Sequence, residues 1–412
     1  DLAGTKTFTL TNLSKIYFST SDETTTAVRE IYDLETKDLL SATEIYDLRG
    51  RRITREEMTR AASIVKTRQG TYKIMVDETD THTFPALVLT IAAGAQTLNV
   101  QVGNVVYRFP AAQTGEMTFT DGTQLTVMGR TFTLADIAGM TVDDTEVADN
   151  LVSVEYSQTA AKVYVAGNVA QYVEPTVSGA HVTISQTNSD AVDGDEIVYQ
   201  LSGTASDGSL TLAGTYRCTV SLAGVSLTNP SGAAITISNS KRIQLSAKQG
   251  TENTLADCAD GSQKACIYSK GQLQLQGNGT LNVSGNTKHA IKSASYISVK
   301  NLTLNITSAA SDGISCEEYF QMKSGSVTIS SVGGDGIQCD LDGTTSTGET
   351  DSHSNEDSGN IYIEGGTLNV TVPKTNTAGK CVKSDGDIQL TGGTLAPVVA
   401  VDDVVGLVFQ KI

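Results

Sequence analysis

The stretch KACIYSKGQLQLQGNGTLNVSGNTKHAIKSASYISVKNLTLNI, residues 264–306, decides how the chain is read. Within it, short apolar alternations return at a fixed interval. Ile267 is matched by Ile291, Leu273/Leu275 by Ile297/Val299, and Leu281/Val283 by Leu304/Ile306. Further along, Ile314, Ile337 and Val382 head later repeats, followed by Phe320/Met322, Val327/Ile329, Ile361/Ile363 and Leu368/Val370. Alternation of period two inside a superperiod of 23 or 24 residues is the pattern of a strand solenoid. Each rung then buries its inward side chains against the rungs above and below. The expected fold is all-β: a right-handed parallel β-helix over residues 176–412, preceded by small β-sandwich-like modules. Cys316 and Cys339, each two residues past a head, should stack, because paired strands stand about 4.8 Å apart.

Turn residues agree. Gly285, Gly313, Gly325, Gly336, Gly366 and Gly393 fall where the coil must bend. Asn278, Asn301 and Asn369 lie near corners, and Asn tolerates left-handed backbone.

With 412 residues there is room for two or more domains. A chain with 38 Gly, no Trp and 5% aromatic residues is rich in turns and unlike a helical globule. A net charge of −17 argues against nucleic acid as a partner. An anionic polysaccharide meets the same repulsion unless a cation or a local basic face intervenes. No apolar run is long enough to span a bilayer, and the start at Asp1 reads as a mature or trimmed end. Six cysteines in a chain of this size do not make a disulfide scaffold. Cys258 and Cys266 flank a loop and either pair or remain free.

Residues 1–83 read as a β-rich module with a short helix over 55–66, from the capping-box spacing of Thr54 and Glu57. TKTFTLTNLSKI, residues 5–16, recurs in outline as GRTFTLADIAGM, residues 129–140, which suggests a repeated structural unit. IYDLRGRRI followed by GTYKIMV resembles the sorting tail of secreted Bacteroidetes proteins, and its early position makes it a pointer to lineage more than a working secretion signal. Residues 84–175 show short strands between polar turns and read as a small all-β module without a catalytic constellation. The final VVAVDDVVGLVFQKI breaks the repeat and is expected to cap the coil.

The most unusual feature is an insertion that lengthens one rung, residues 340–359. With the turn before it, this stretch carries Asp335, Asp340, Asp342, Glu349, Asp351, Glu356, Asp357 and His353, and no Lys or Arg occurs from 324 to 373. Crowded carboxylates repel one another, and a hard divalent cation taking six to eight oxygens relieves the repulsion, so calcium is the expected metal. A solvated acidic loop is the other reading. Asp312, Asp335 and Asp385, each followed by Gly, are expected to stack at one corner of successive rungs, with Asp387 beside Asp385. On the outer face, alternation puts Tyr296 over Tyr319 and Lys300 over Lys323, with Lys292 and Lys383 beside other rung heads. Tyrosines against sugar rings and lysines against uronate carboxylates would hold a sugar chain. No catalytic set emerges: the four His form no spacing pattern, and only Asp385 and Asp387 approach a carboxylate pair.

The phrases ENTLAD, the quoted 264–306 stretch, SDGIS, GDGIQCDLDG and EDSGNIYIEGGTLNV together closely resemble a carbohydrate-binding β-helix family first defined by a clostridial pectin- and cellulose-binding protein. The version with a small β-module in front is similar to that of gut Bacteroidetes. This resemblance implies an extracellular or cell-surface, outer-membrane-associated, calcium-binding protein. It would recognise acidic plant polysaccharide such as polygalacturonate, or cellulose, without cleaving it. A calcium-stabilised structural or adhesin-like surface protein is the alternative, and a polysaccharide lyase a third reading.

Overall fold

The computed structural model describes residues 6–9, 44–47, 63–66, 71–74, 89–90, 97–111, 113–341, 353, 356–399 and 407–409. The chain divides into two compact units, one of Asp1–Asp149 with Ala166–Gln171, the other of Asn150–Val165 with Tyr172–Ile412.

The first unit is built of antiparallel strands. Glu44–Asp47 pairs with Ser63–Lys66, which pairs with Thr71–Ile74. Ser63–Lys66 therefore corrects the end of the expected helix. Its sequence SIVK carries adjacent β-branched residues and sits between two strands, so tertiary pairing overrides the capping signal. The remainder of that expected helix, residues 55–62, lies outside the described residues. Lys6–Thr9 and Arg130–Thr133, the two copies of the repeated phrase, form opposite edges of one four-stranded sheet. A hairpin of Thr97–Val102 and Val105–Pro110 contributes Leu98, Val100, Tyr107 and Phe109 to the core, where Tyr107 meets Phe132 edge-on at 5.0 Å.

The second unit is a coil of three ladders of parallel strands. The first ladder runs through Ala180–Gln186, Gly208–Gly214, Ile235–Ile237, Ala265–Ser269, His289–Ser293, Ile314–Cys316, Ile337–Cys339, Val382–Ser384 and Leu407–Phe409. The second includes Ile243–Ala247, Leu273–Gly277, Ile297–Lys300, Tyr319–Met322, Asn360–Ile363 and Ile388–Leu390. The third includes Glu252–Asp257, Thr280–Gly285, Thr303–Ala309, Ser326–Ile329, Thr367–Val372 and Thr394–Val399. The chain visits the three in turn, which produces the superperiod. Near its start the coil carries antiparallel hairpin partners, Val173–Ser178 on Ala180–Gln186 and Ala160–Ala166 on Leu151–Gln158.

Register follows the apolar pattern position by position. Ile267, Ile291, Ile314, Ile337 and Val382 pair in succession on the first ladder, and Cys316 pairs with Cys339. Leu273, Ile297, Phe320 and Ile361 stack on the second, and Leu281, Leu304, Val327 and Leu368 on the third. All these side chains are fully buried, so the interior is one continuous apolar column. Burial of this kind is the main driving force for the coil, at about 25 cal/mol per Å² of apolar surface.

At the corner between the second and third ladders, Gly325, Gly366 and Gly393 have φ of 96°, 83° and 75°. A Cβ on Gly325 would lie 2.5 Å from the Leu302 carbonyl oxygen, so only glycine lets the rungs close there. Asn301 is left-handed as well, at φ 61°, whereas Asn369 lies within a strand. One further expectation is corrected. Leu407–Phe409 does not break the repeat but pairs in parallel with Val382–Ser384, extending the first ladder by a rung. Cys258 and Cys266 are both free, and Cys266 is fully buried.

Candidate functional site

The outer face of the first ladder carries an open cleft of about 450 Å³, lined by Lys264, Lys288, His289, Lys292, Asp312, Glu317 and Asp340 among others. Strand alternation builds it. The heads point inward, so the residue after each head points outward, giving the row Tyr268, Lys292, Ser315, Gln338, Lys383 in direct register. Two further columns flank that row. Two residues before the heads stand His289, Asp312, Asp335 and Lys380; three residues after stand Glu317, Asp340 and Asp385.

These columns bond to one another. Lys292 Nζ lies 2.7 Å from Glu317 Oε1 and donates to Ser315 Oγ at 3.3 Å. Asp312 Oδ1 accepts from the Asp335 N–H at 2.7 Å, and Asp335 Oδ1 accepts from the Lys380 N–H at 2.7 Å, so this column is stitched from rung to rung. Lys383 Nζ is 3.9 Å from Asp335 Oδ2. Gln338 donates to Asp340. Burial holds the Asp335 carboxyl above its ordinary value, and neighbouring Asp312 adds to the effect against hydrogen bonding from Lys380 and the Lys383 and Lys380 charges. His289, its ring nine-tenths buried, brings Nδ1 to 3.1 Å from Asp312 Oδ2 but outside hydrogen-bonding geometry. At the near end of the row, Tyr268 is half-buried and the Lys264 ammonium lies 5.2 Å from its ring centre.

On the second ladder the stacked tyrosines are covered. Tyr296 and Tyr319 do stack, with ring centres 4.6 Å apart and planes 18° from parallel. Both are fully buried, in a cluster with Tyr362. This overturns their expected role as an exposed sugar platform. His353, from the insertion, stacks on Tyr362 at 3.9 Å and 10° and reaches Tyr319 at 5.7 Å. Glu356 fixes the cover: its carboxylate accepts from Ser358, Tyr362 and Asn360 and lies 2.7 Å from His353 Nδ1. Burial alone would raise its pKa, yet hydrogen bonds from Ser358, Tyr362 and His353 and the His353 charge hold it below the usual value. Glu356 is thus a latch, with protein donors where a metal ligand would keep free lone pairs.

The other expected residues are distributed along the coil. Lys292 and Lys383 share the first-ladder row. Lys300 ends one second-ladder strand and is exposed, and Lys323 follows the next and is half-buried, both away from that row. Asp312 and Asp335 stack as expected, but Asp385 does not join them. It follows its strand where they precede theirs, and so it stands over Asp340, with Oδ2 accepting from the Leu341 N–H at 3.3 Å. Asp387 is exposed and its N–H donates to Asn360 Oδ1 at 2.6 Å; Asp357 is half-buried beside the latch. Asp342, Glu349 and Asp351 lie outside the described residues. Among the described residues, no three His, Cys, Asp or Glu side chains converge to hold a metal. Lys264, Tyr268, Lys288, His289, Glu317 and Lys380 were missed by reading the sequence. Their signal is a constant offset from the heads, visible once the register is fixed.

The second unit is thus a coil of stacked parallel rungs with a charged, open groove on one face. The family model of carbohydrate-binding domain-containing proteins matches residues 178–403, more than half of the chain, and the protein belongs to that family. A carbohydrate-binding domain-containing protein of Acetivibrio thermocellus is 27% identical over 135 residues, covering 28% of this chain and 47% of that relative, so the match spans about half the relative's length. A solved structure described as a polysaccharide lyase-like protein from C. thermocellum is 20% identical, covering 60% of this chain and 93% of its own, with a TM-score of 0.42.

Proposed function

We propose that the first-ladder groove binds an acidic plant polysaccharide such as polygalacturonate, without cleaving it, at the cell surface or outside the cell. One observation carries the reading. In a chain of net charge −17, five lysines, Lys264, Lys288, Lys292, Lys380 and Lys383, gather on one outer face. They stand among the carboxylates of Asp312, Glu317, Asp335, Asp340 and Asp385, and they supply the local cations an anionic glycan needs. Two of the three Lys292 ammonium donors go to Ser315 and Glu317, and the third is available to a uronate. Tyr268 supplies a half-exposed ring at the end of the row for a sugar face.

Binding without cleavage fits the state of the groove's carboxylates. Glu317 is engaged by Lys292, Asp340 by Gln338 and Asp312 by the Asp335 N–H. Calcium is proposed as a bridge: Asp340 and Asp385 contribute protein oxygens, and the uronates supply others toward the six to eight that the ion takes. The coil is proposed to be right-handed, the hand adopted by about 98% of parallel crossovers.

Retention on immobilised polygalacturonate, with calcium and with a chelator, tests this, while thermal unfolding is followed in both buffers and unsaturated uronides are assayed. Calcium-strengthened retention with no product released is expected. Calcium-dependent stability with no retention in either buffer would favour a structural or adhesive role. Product release would make the protein a lyase.

A further inference from the structure

The groove's charges are sorted by rung. Lys288 and Lys292 sit on one rung beside His289, and Lys264 lies on the rung before. The next rung carries Asp312 and Glu317, and the one after it Asp335 and Asp340. Lys380 and Lys383 follow, with Asp385 beside them. Along the coil axis the groove is therefore basic over two rungs, acidic over two and basic again. Between the basic ends the outward row holds only the uncharged Ser315 and Gln338. Lys292 and Lys383 are three register steps apart, about 14 Å at the spacing of paired strands.

A uniformly charged polyuronate lying along this row meets attraction at both ends and repulsion in the middle, where carboxylates flank it on both sides. Like charges brought together in a partly desolvated groove cost binding energy. Resting on the acidic-glycan reading above, we propose that in the absence of divalent cations the groove selects chains whose uronates are interrupted by uncharged residues. Charged sugars lie over the two lysine bands, and ester-capped or neutral sugars lie over Ser315 and Gln338. A bridging cation over the acidic band removes the repulsion, so calcium inverts the preference toward the fully charged chain.

Binding of the full chain to galacturonans of graded methyl-ester content, each in chelator and in calcium, tests this. In chelator, affinity is expected to peak at intermediate esterification, about threefold or more above the fully de-esterified chain, the size of one or two partly screened charge contacts. In calcium the fully de-esterified chain is expected to bind most tightly. The double substitution Glu317→Gln, Asp340→Asn should move the chelator optimum to the de-esterified chain, and an unchanged melting transition confirms that it folds. Lys383→Gln, at the far basic band, should flatten the profile without moving its optimum. Tightest binding of the fully de-esterified chain in chelator would overturn charge banding and leave acidic-glycan binding standing. Binding to no member of the series in either buffer would overturn both.

Discussion

The row Tyr268, Lys292, Ser315, Gln338, Lys383 on the first ladder and the pair Tyr296, Tyr319 on the second arise by the same rule. In each, outward positions one period apart are set over one another by parallel register. The first row lines an open cleft, and the second is sealed beneath Tyr362 and His353. Stacking alone therefore does not make a binding face. What decides is whether another part of the chain needs the same surface, and a row that the chain itself covers becomes core.

The largest expected effect separates the two faces by stability. Tyr319→Ala removes a fully buried ring that stacks on Tyr296, and it should cost about 3–5 kcal/mol, as large-to-small core substitutions do. Denaturant unfolding reads this loss, and retention of the still-folded fraction on polygalacturonate should be unchanged. Weakened retention with stability intact would return the tyrosines to the binding face and break the comparison.

Next in size are losses confined to the open face. Tyr268→Ala should weaken glycan binding by about 1 kcal/mol, or roughly fivefold, with little change in unfolding, because the ring is only half-buried. Lys292→Gln should act similarly and lower the salt dependence of binding, since one of the charges steering the glycan is gone. Affinity measured across ionic strength distinguishes them. A salt slope that Lys292→Gln leaves unchanged would show that its ammonium serves only Glu317 and Ser315.

The coil's ladders could be read from the sequence because the inward residues obey two periods at once, two within a strand and 23 or 24 between rungs. Ile291, Ile314 and Ile337 took their positions without ambiguity. The cover over Tyr319 could not be read, because His353 and Glu356 lie in the insertion that interrupts the period, and periodicity carries no information about what interrupts it. Asp385 was misplaced for a related reason. An Asp-Gly pair suits either end of a strand, and after the insertion only the register of Val382 on Ile337 shows which end it occupies. His289 and Lys380 escaped notice because chemically unlike residues share one column, and a search for repeated residues passes over them.

The smallest effects are also the sharpest, because they have opposite signs on the two faces. The Glu356 carboxyl is held below its ordinary value of 4.5, with its bonds to Ser358, Tyr362 and His353 outweighing burial. Its stabilisation is present above pH 4.5 and is lost as pH falls through the lower, folded value. Glu356→Gln should therefore destabilise at pH 7, by about half a kcal/mol given its exposure, and converge with the parent under acid. The Asp335 carboxyl is held above its ordinary value of 3.8, first by burial and also by Asp312. Its ionisation is a cost present above the folded value and absent below 3.8. Asp335→Asn keeps the side-chain oxygen that accepts from the Lys380 N–H, so it should stabilise slightly at pH 7, an advantage that fades as the solution is acidified. Unfolding midpoints of both variants across pH 3–7 give the two slopes. Slopes of the same sign would mean that the covered face and the open groove do not differ as the geometry requires: a carboxylate satisfied by the donors that close one surface, and a carboxylate left crowded on the surface that stays open for a ligand.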